Sequence, residues 1–299
     1  MEYKQFFLGQ DGNKIFSGFP DNFAKHFDWC MIPMNQNLLL ANKRTNIPKT
    51  IYLKTDFLPQ FVNTILPNIN SEFVLITAAS DYSPEVNFNR EYNLLINNSK
   101  VKFWFMNNMR HKHPKSFSLP AGFAAGTFWE NSTVRDHKKS DEFFTNIWNS
   151  TTREKKINKV FCSFRNRSEN VCGSDMVIRP QIWNIIKNNP SDIFDIYEPD
   201  SLRFEKFVEK VSEYKYFLIP HGNGMDPSPS LWISLICKTI PVIYKTPNMI
   251  DIFSERDSVI FFEKFEEILD KNIYTEKDQI DLEFLTCEYW ANKIQSKIL

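Results

Sequence analysis

Glycine is scarce in this sequence, with 8 among 299 residues. There is no low-complexity tract and no internal repeat, so any two glycines close together carry information. A surplus of one charge is missing too. Lys+Arg and Asp+Glu both number 36, for a net charge of zero. That predicts no bulk electrostatic grip on nucleic acid or an anionic membrane, while leaving room for a local basic patch. No run of about 18 apolar residues occurs, which predicts no membrane-spanning helix. The opening residues, MEYKQFFLGQDGNK, lack an apolar core of signal-peptide length. The five cysteines (Cys30, Cys162, Cys172, Cys237 and Cys287) form no C-x-x-C pair and no Cys/His cluster with zinc spacing. These absences predict a soluble, cytoplasmic protein with reduced thiols. No G-x-S-x-G elbow is present, which argues against a hydrolase built on a nucleophilic serine.

Short apolar runs are present instead, and they alternate with helical stretches. Ile51–Leu53, Phe73–Thr77, Val101–Phe105 and Phe117–Leu119 form one series. Val160–Phe164, Ile193–Tyr197, Tyr216–Ile219, Ile240–Tyr244 and Val259–Phe262 form a second. Runs of this length without polar alternation suit strands buried on both faces. Segments 57–69, 180–189, 201–214 and 230–238 have helical length and spacing. Strands alternating with helices predict parallel sheets. The expected fold is α/β, with two Rossmann-like domains, two cores and facing strand tips that line one cleft. The first domain is expected over residues 1–150 and the second over 151–280. The polar stretch 149–158 is the expected linker, and 281–299 a terminal helix able to pack back on the first domain.

Ligands of open parallel sheets bind beyond the C-terminal ends of the strands. One such place stands out. Two of the few glycines, Gly222 and Gly224, follow the run Tyr216–Ile219 in the sequence His221-Gly222-Asn223-Gly224. Glycine there allows close backbone approach and φ > 0 turns. A helix is expected to start near Ser228 or Ser230 as N-cap, with free N–H groups suited to phosphate. A glycine-containing turn without a ligand is the plainer alternative.

The stretch Tyr216 to Asp226, then Leu231-Trp232, then Ile240-Pro241-Val242-Ile243, resembles the C-terminal motif of exostosin-like glycosyltransferases. The segments LKTDFL, LITAASD, VKFWFMNN and HPKSFSLPAG resemble blocks of bacterial and large-DNA-virus members. The resemblance implies a GT-B fold without a bound cofactor, in which the domain 1–150 binds the acceptor and the domain 151–280 the nucleotide sugar. It further implies inverting transfer of a hexosyl or pentosyl group from a nucleotide-diphosphate sugar, most often UDP-linked, to a glycan or glycoprotein acceptor. A viral member would work in the host cytoplasm. Two departures stand out. The family's Arg in this motif is missing, and Ile233 occupies the place of the Glu expected on the nucleotide ribose. Asp226, Ser228 and Ser230 are the candidates to take over.

The remaining candidates follow from chemistry at strand tips. Arg165 and Arg167, with Arg179 as a third option, suit a diphosphate; a solvated charged loop is the alternative. Asp81 suits a general base for an acceptor hydroxyl, with Asp56 or His111 in its place; turn formation is the alternative for the carboxylates. Asn107 and Asn108 suit sugar hydroxyls, since amides both donate and accept. Lys245 suits a phosphate contact. His111 and His113 lack a third metal ligand, and no Asp-x-Asp occurs, so no metal is expected.

Overall fold

The computed structural model describes residues 23, 26–34, 37–123, 137–166, 178–199, 201–227 and 229–298. They form two sheets. The first runs in the order β2-β1-β3-β4-β5-β6: Asn37–Lys43, Trp29–Met34, Thr50–Lys54, Phe73–Ala78, Val101–Met106 and Ser116–Ser118. β1 and β2 pair antiparallel and the other neighbours pair parallel. The second runs β11-β10-β9-β7-β8: Ile260–Phe262, Ile240–Tyr244, Tyr214–Ile219, Ile157–Cys162 and Phe194–Ile196, all parallel.

Side chains alternate across each strand, and both faces are buried, as parallel sheets demand. On β9, Phe217 and Ile219 enter one cluster while Tyr216 and Leu218 enter another; on β4, Val74 and Ile76 part from Phe73 and Leu75 in the same way. The outer faces carry separate clusters. The inner faces share one. Val74, Ile76 and Phe105 of the first sheet belong to the same cluster as Phe161, Phe217, Ile219 and Ile243 of the second. The expectation of two separate cores is therefore corrected. The physical cause is the helix Ser230–Ile236, in which Leu231 through Ile236 are all buried. A helix apolar on every side must be enclosed on every side. The C-terminal segment closes the same cluster through Phe284 and Trp290. Gln295 Nε2 donates to His26 O at 3.2 Å, and Lys297 lies over the Phe117 ring.

Other local differences have simple causes. Segment 57–69 is helical as expected but irregular: Leu58–Gln60, Phe61–Ile65 and Leu66–Asn68 follow one another with different pitch, and Pro59 and Pro67 each stand in the first turn of a stretch. β1 and β2 were not foreseen. Stretch 149–158 runs from the end of the helix His137–Ser150 into β7, and Arg153 within it bonds to Lys238 O at 3.2 Å. Cys30, Cys162, Cys237 and Cys287 are buried, and Cys172 lies outside the described residues. Among the described residues no helix is long and apolar enough to cross a membrane.

Candidate functional site

Topology locates the site. From β7 the chain moves outward to β8, then returns to β9 on the other side of β7. Connections on opposite sides leave a crevice beyond the C-terminal ends of β7 and β9. In the first sheet the comparable place adjoins β1, which pairs antiparallel with β2 instead of crossing over. A pocket of about 410 Å³ occupies the β7/β9 crevice, within the usual size for a small-molecule site. Phe164, Arg165, Arg179, Phe204, Phe207 and Ile233 are among its lining residues.

Arg179, on the helix Ile178–Asn188, bridges the two strand tips. Its Nε donates to His221 O at 2.6 Å, and its Nη1 reaches Arg165 O at 3.5 Å. Arg165 and Arg179 both line the pocket, and guanidinium groups suit a diphosphate. Among the described residues its lining includes no carboxylate.

His221 is buried at the tip of β9. Burial pushes its pKa down to about 4, the Arg179 charge lowers it further, and a hydrogen bond with the Tyr244 backbone opposes both. The imidazole is therefore neutral near pH 7. Its Nε2 has no hydrogen-bond partner among the described residues, and neither amide atom of the fully buried Asn248, after β10, has one. Buried orphan polar atoms are rare and costly, and here two groups follow neighbouring strands.

Beyond the pocket, the Gly222–Asp226 turn meets the tips of the first sheet. Asn108 Oδ1 accepts from Met225 N at 2.9 Å and Asp226 N at 3.1 Å. Asp226 Oδ2 in turn accepts from Ala121 N at 2.6 Å. Asn223 Nδ2 donates to Asp81 Oδ2 at 3.2 Å. The strand tips of the two halves are bonded directly here.

This changes the reading of the glycines. Among the described glycines only Gly122 has a positive φ, so neither Gly222 nor Gly224 serves a left-handed turn. A Cβ on Gly224 would lie 2.7 Å from Asn108 Oδ1. The close approach is to Asn108. Asn107 and Asn108 are buried; the Asn107 amide donates to Ser80 O at 2.6 Å, the Asn108 amide to Ser80 O at 3.0 Å. Their described bonds hold backbone together.

The expected helix cap is also corrected. Ser230 is the first helical residue, the N-cap is Pro229 without a side-chain bond, and the helix has seven residues. Asp56 pairs with Lys54 at 3.0 Å, and Lys245 pairs with Glu263. Exposed His111 sits 3.9 Å from Glu85, which accepts from the Arg110 and His111 amides and fixes that loop. None of these three lines the pocket. Arg167 and Ser228 lie outside the described residues. Sequence reasoning missed Phe204 and Phe207, whose i, i+3 spacing after β8 was the available signal.

No known protein family matches this chain, and no curated protein matches it. Among solved structures it is similar to a trehalose-6-phosphate synthase, OtsA, at 8% identity, with 83% of this chain and 71% of that one covered and a TM-score of 0.40. It is also similar to an alpha-glucosyltransferase in complex with UDP-glucose and DNA containing an abasic site, at 9% identity, 84% and 75% coverage and a TM-score of 0.35. Likeness this distant carries no argument about activity.

Proposed function

We propose that this protein is a glycosyltransferase of GT-B architecture. It takes a nucleotide-diphosphate sugar, UDP-linked, in the β7/β9 pocket and transfers the sugar to an acceptor hydroxyl, with inversion. The observation that carries this reading is the presence of two arginines, Arg165 and Arg179, in the lining of a 410 Å³ pocket at a crevice flanked by parallel crossovers. Diphosphate oxygens meet the guanidinium groups. The base packs against the apolar wall of Phe204, Phe207 and Ile233. Asp81, exposed beside Asn223, takes the acceptor proton. The two arginines stabilise the leaving diphosphate as charge develops on it. The sequence likeness of segment 216–243 to exostosin-like enzymes supports the same reading.

Calorimetry with UDP tests it. Arg179→Ala should weaken binding about tenfold or more, the scale of losing charge-assisted bonds. If the wild-type chain binds no nucleoside diphosphate at all, the proposal fails.

A second reading has a specific observation in its favour. The pocket lining lacks a carboxylate for the ribose among the described residues, and Ile233 stands where the resemblance places one. On that reading the chain is a catalytically inactive nucleotide- or sugar-binding protein. Donor hydrolysis separates the two, since a binder that never hydrolyses or transfers is not an enzyme.

A further inference from the structure

The other end of the second sheet holds another cavity, of about 490 Å³. It lies where β7, β9 and β10 begin. Arg153 and Lys156 reach it from the segment before β7, Lys215 from the first turn of β9, and Lys238 from the loop before β10. Glu154 and Glu276 are its carboxylates.

Cationic charge is in excess there. Lys215 is paired with Glu276. The other three cations are held by neutral groups. Lys156 Nζ donates to Ser212 O and, at 2.9 Å, to Thr239 Oγ1. Lys238 Nζ donates to Thr151 O at 2.8 Å and lies over the Trp148 ring at 4.8 Å. Arg153 donates to the carbonyls of Lys238, Lys277 and Asp278. Glu276 and Asp278 offset the Arg153 charge and Glu154 that of Lys238, but among the described residues no carboxylate acts on Lys156. Burial pushes the Lys156 ammonium down to about 8; Arg153 and Lys238 lower it further, while Cys237 opposes them.

Lys238 carries a second sign of demand. It sits just past the helix Ser230–Ile236 with φ 53°, a left-handed position that glycine ordinarily takes at a helix end. A side chain there costs roughly 1 kcal/mol. The strained position keeps an ammonium beside Lys156 and Arg153. Each lysine has three N–H donors. Lys156 uses two of them on described partners and Lys238 uses one on Thr151, so donors remain on both.

We propose that this cavity is a second ligand site, which takes the phosphoryl group of a small phosphorylated ligand. A tetrahedral dianion fits the remaining donors and offsets the excess charge. The cavity exceeds what one phosphate fills, which leaves room for the body of an ester. It is separate from the β7/β9 pocket: Lys215 to Ile219 along β9 spans about 13 Å at the usual rise per residue. The proposal therefore stands or falls apart from the function above.

The test is a ³¹P NMR titration of the full chain with inorganic phosphate. Saturable broadening is expected. Lys156→Met and Lys238→Gln should each weaken it about tenfold, the scale of one charge-assisted bond, and Arg179→Ala should leave it unchanged. If Lys156→Met does not fold, Lys238→Gln decides. A glycerol phosphate arm identifies the source: tighter binding than phosphate assigns an ester, and weaker binding assigns the free ion. Three results overturn the proposal: no saturable binding, full binding in the lysine variants, or loss in Arg179→Ala instead.

Discussion

Asn108 stands so close to Gly224 that a Cβ on the glycine would lie 2.7 Å from the amide oxygen, while the same oxygen accepts from the Met225 and Asp226 amides. These residues are 116 positions or more apart, and their contact joins the strand tips of the two halves.

Gly224→Ala should therefore destabilise the protein by about 1–3 kcal/mol, the usual cost of overpacking. Asn108→Ala leaves two buried N–H groups without their acceptor, at about 1–3 kcal/mol each. The two losses should not add, because removing the Asn108 amide also removes what the new methyl strikes. A double-mutant cycle by urea denaturation measures this; simple additivity would show that the contact is not what excludes a side chain at 224.

His221 should make stability fall in mild acid. Its native pKa of about 4 lies below the ordinary value of about 6.5. Between those values the unfolded chain binds more protons than the folded one, so stability is full above about pH 6.5 and declines as pH falls toward 4. The loss from about pH 7 to about pH 5 is on the order of 2 kcal/mol. His221→Gln should flatten that part of the curve. An unchanged slope in this variant would place the acid sensitivity elsewhere.

If Asp81 is the acceptor base, Asp81→Asn should reduce sugar transfer by about 100-fold or more. UDP affinity should change little, because Asp81 touches Asn223 and is not part of the pocket lining. Asp81 is exposed, so the variant should melt close to the wild type. Undiminished transfer would turn attention to Asp56, whose Oδ2 is buried without a partner among the described residues.

Donor hydrolysis should survive EDTA. Arg165 and Arg179 supply the positive charge that a diphosphate needs, and among the described residues no group of His, Cys, Asp and Glu is placed to hold a metal ion. Activity lost on chelation and restored by Mg²⁺ or Mn²⁺ would assign that charge to a metal instead.

The sequence by itself determined the elements that are buried on both faces. Apolar runs such as Ile240–Tyr244 have no polar face to show water, so they suit strands buried on both faces. Their alternation with helical stretches required parallel sheets, and the strand-tip rule then pointed to the segment after β9. The antiparallel hairpin β1–β2 escaped notice. So did the changes of pitch along the helical segment 57–69. What only the tertiary structure decided was which distant groups meet. Gly224 reads locally as a place for a ligand, but Asn108 fills the space beside it. Arg179 became the bridge between two strand tips because the helix Ile178–Asn188 carries it there. The lysines around Arg153 lie scattered in sequence and converge only because parallel strands all begin at one end of a sheet. Periodicity records whether a side chain is buried; it holds no information on which residue a hundred positions away will bury it.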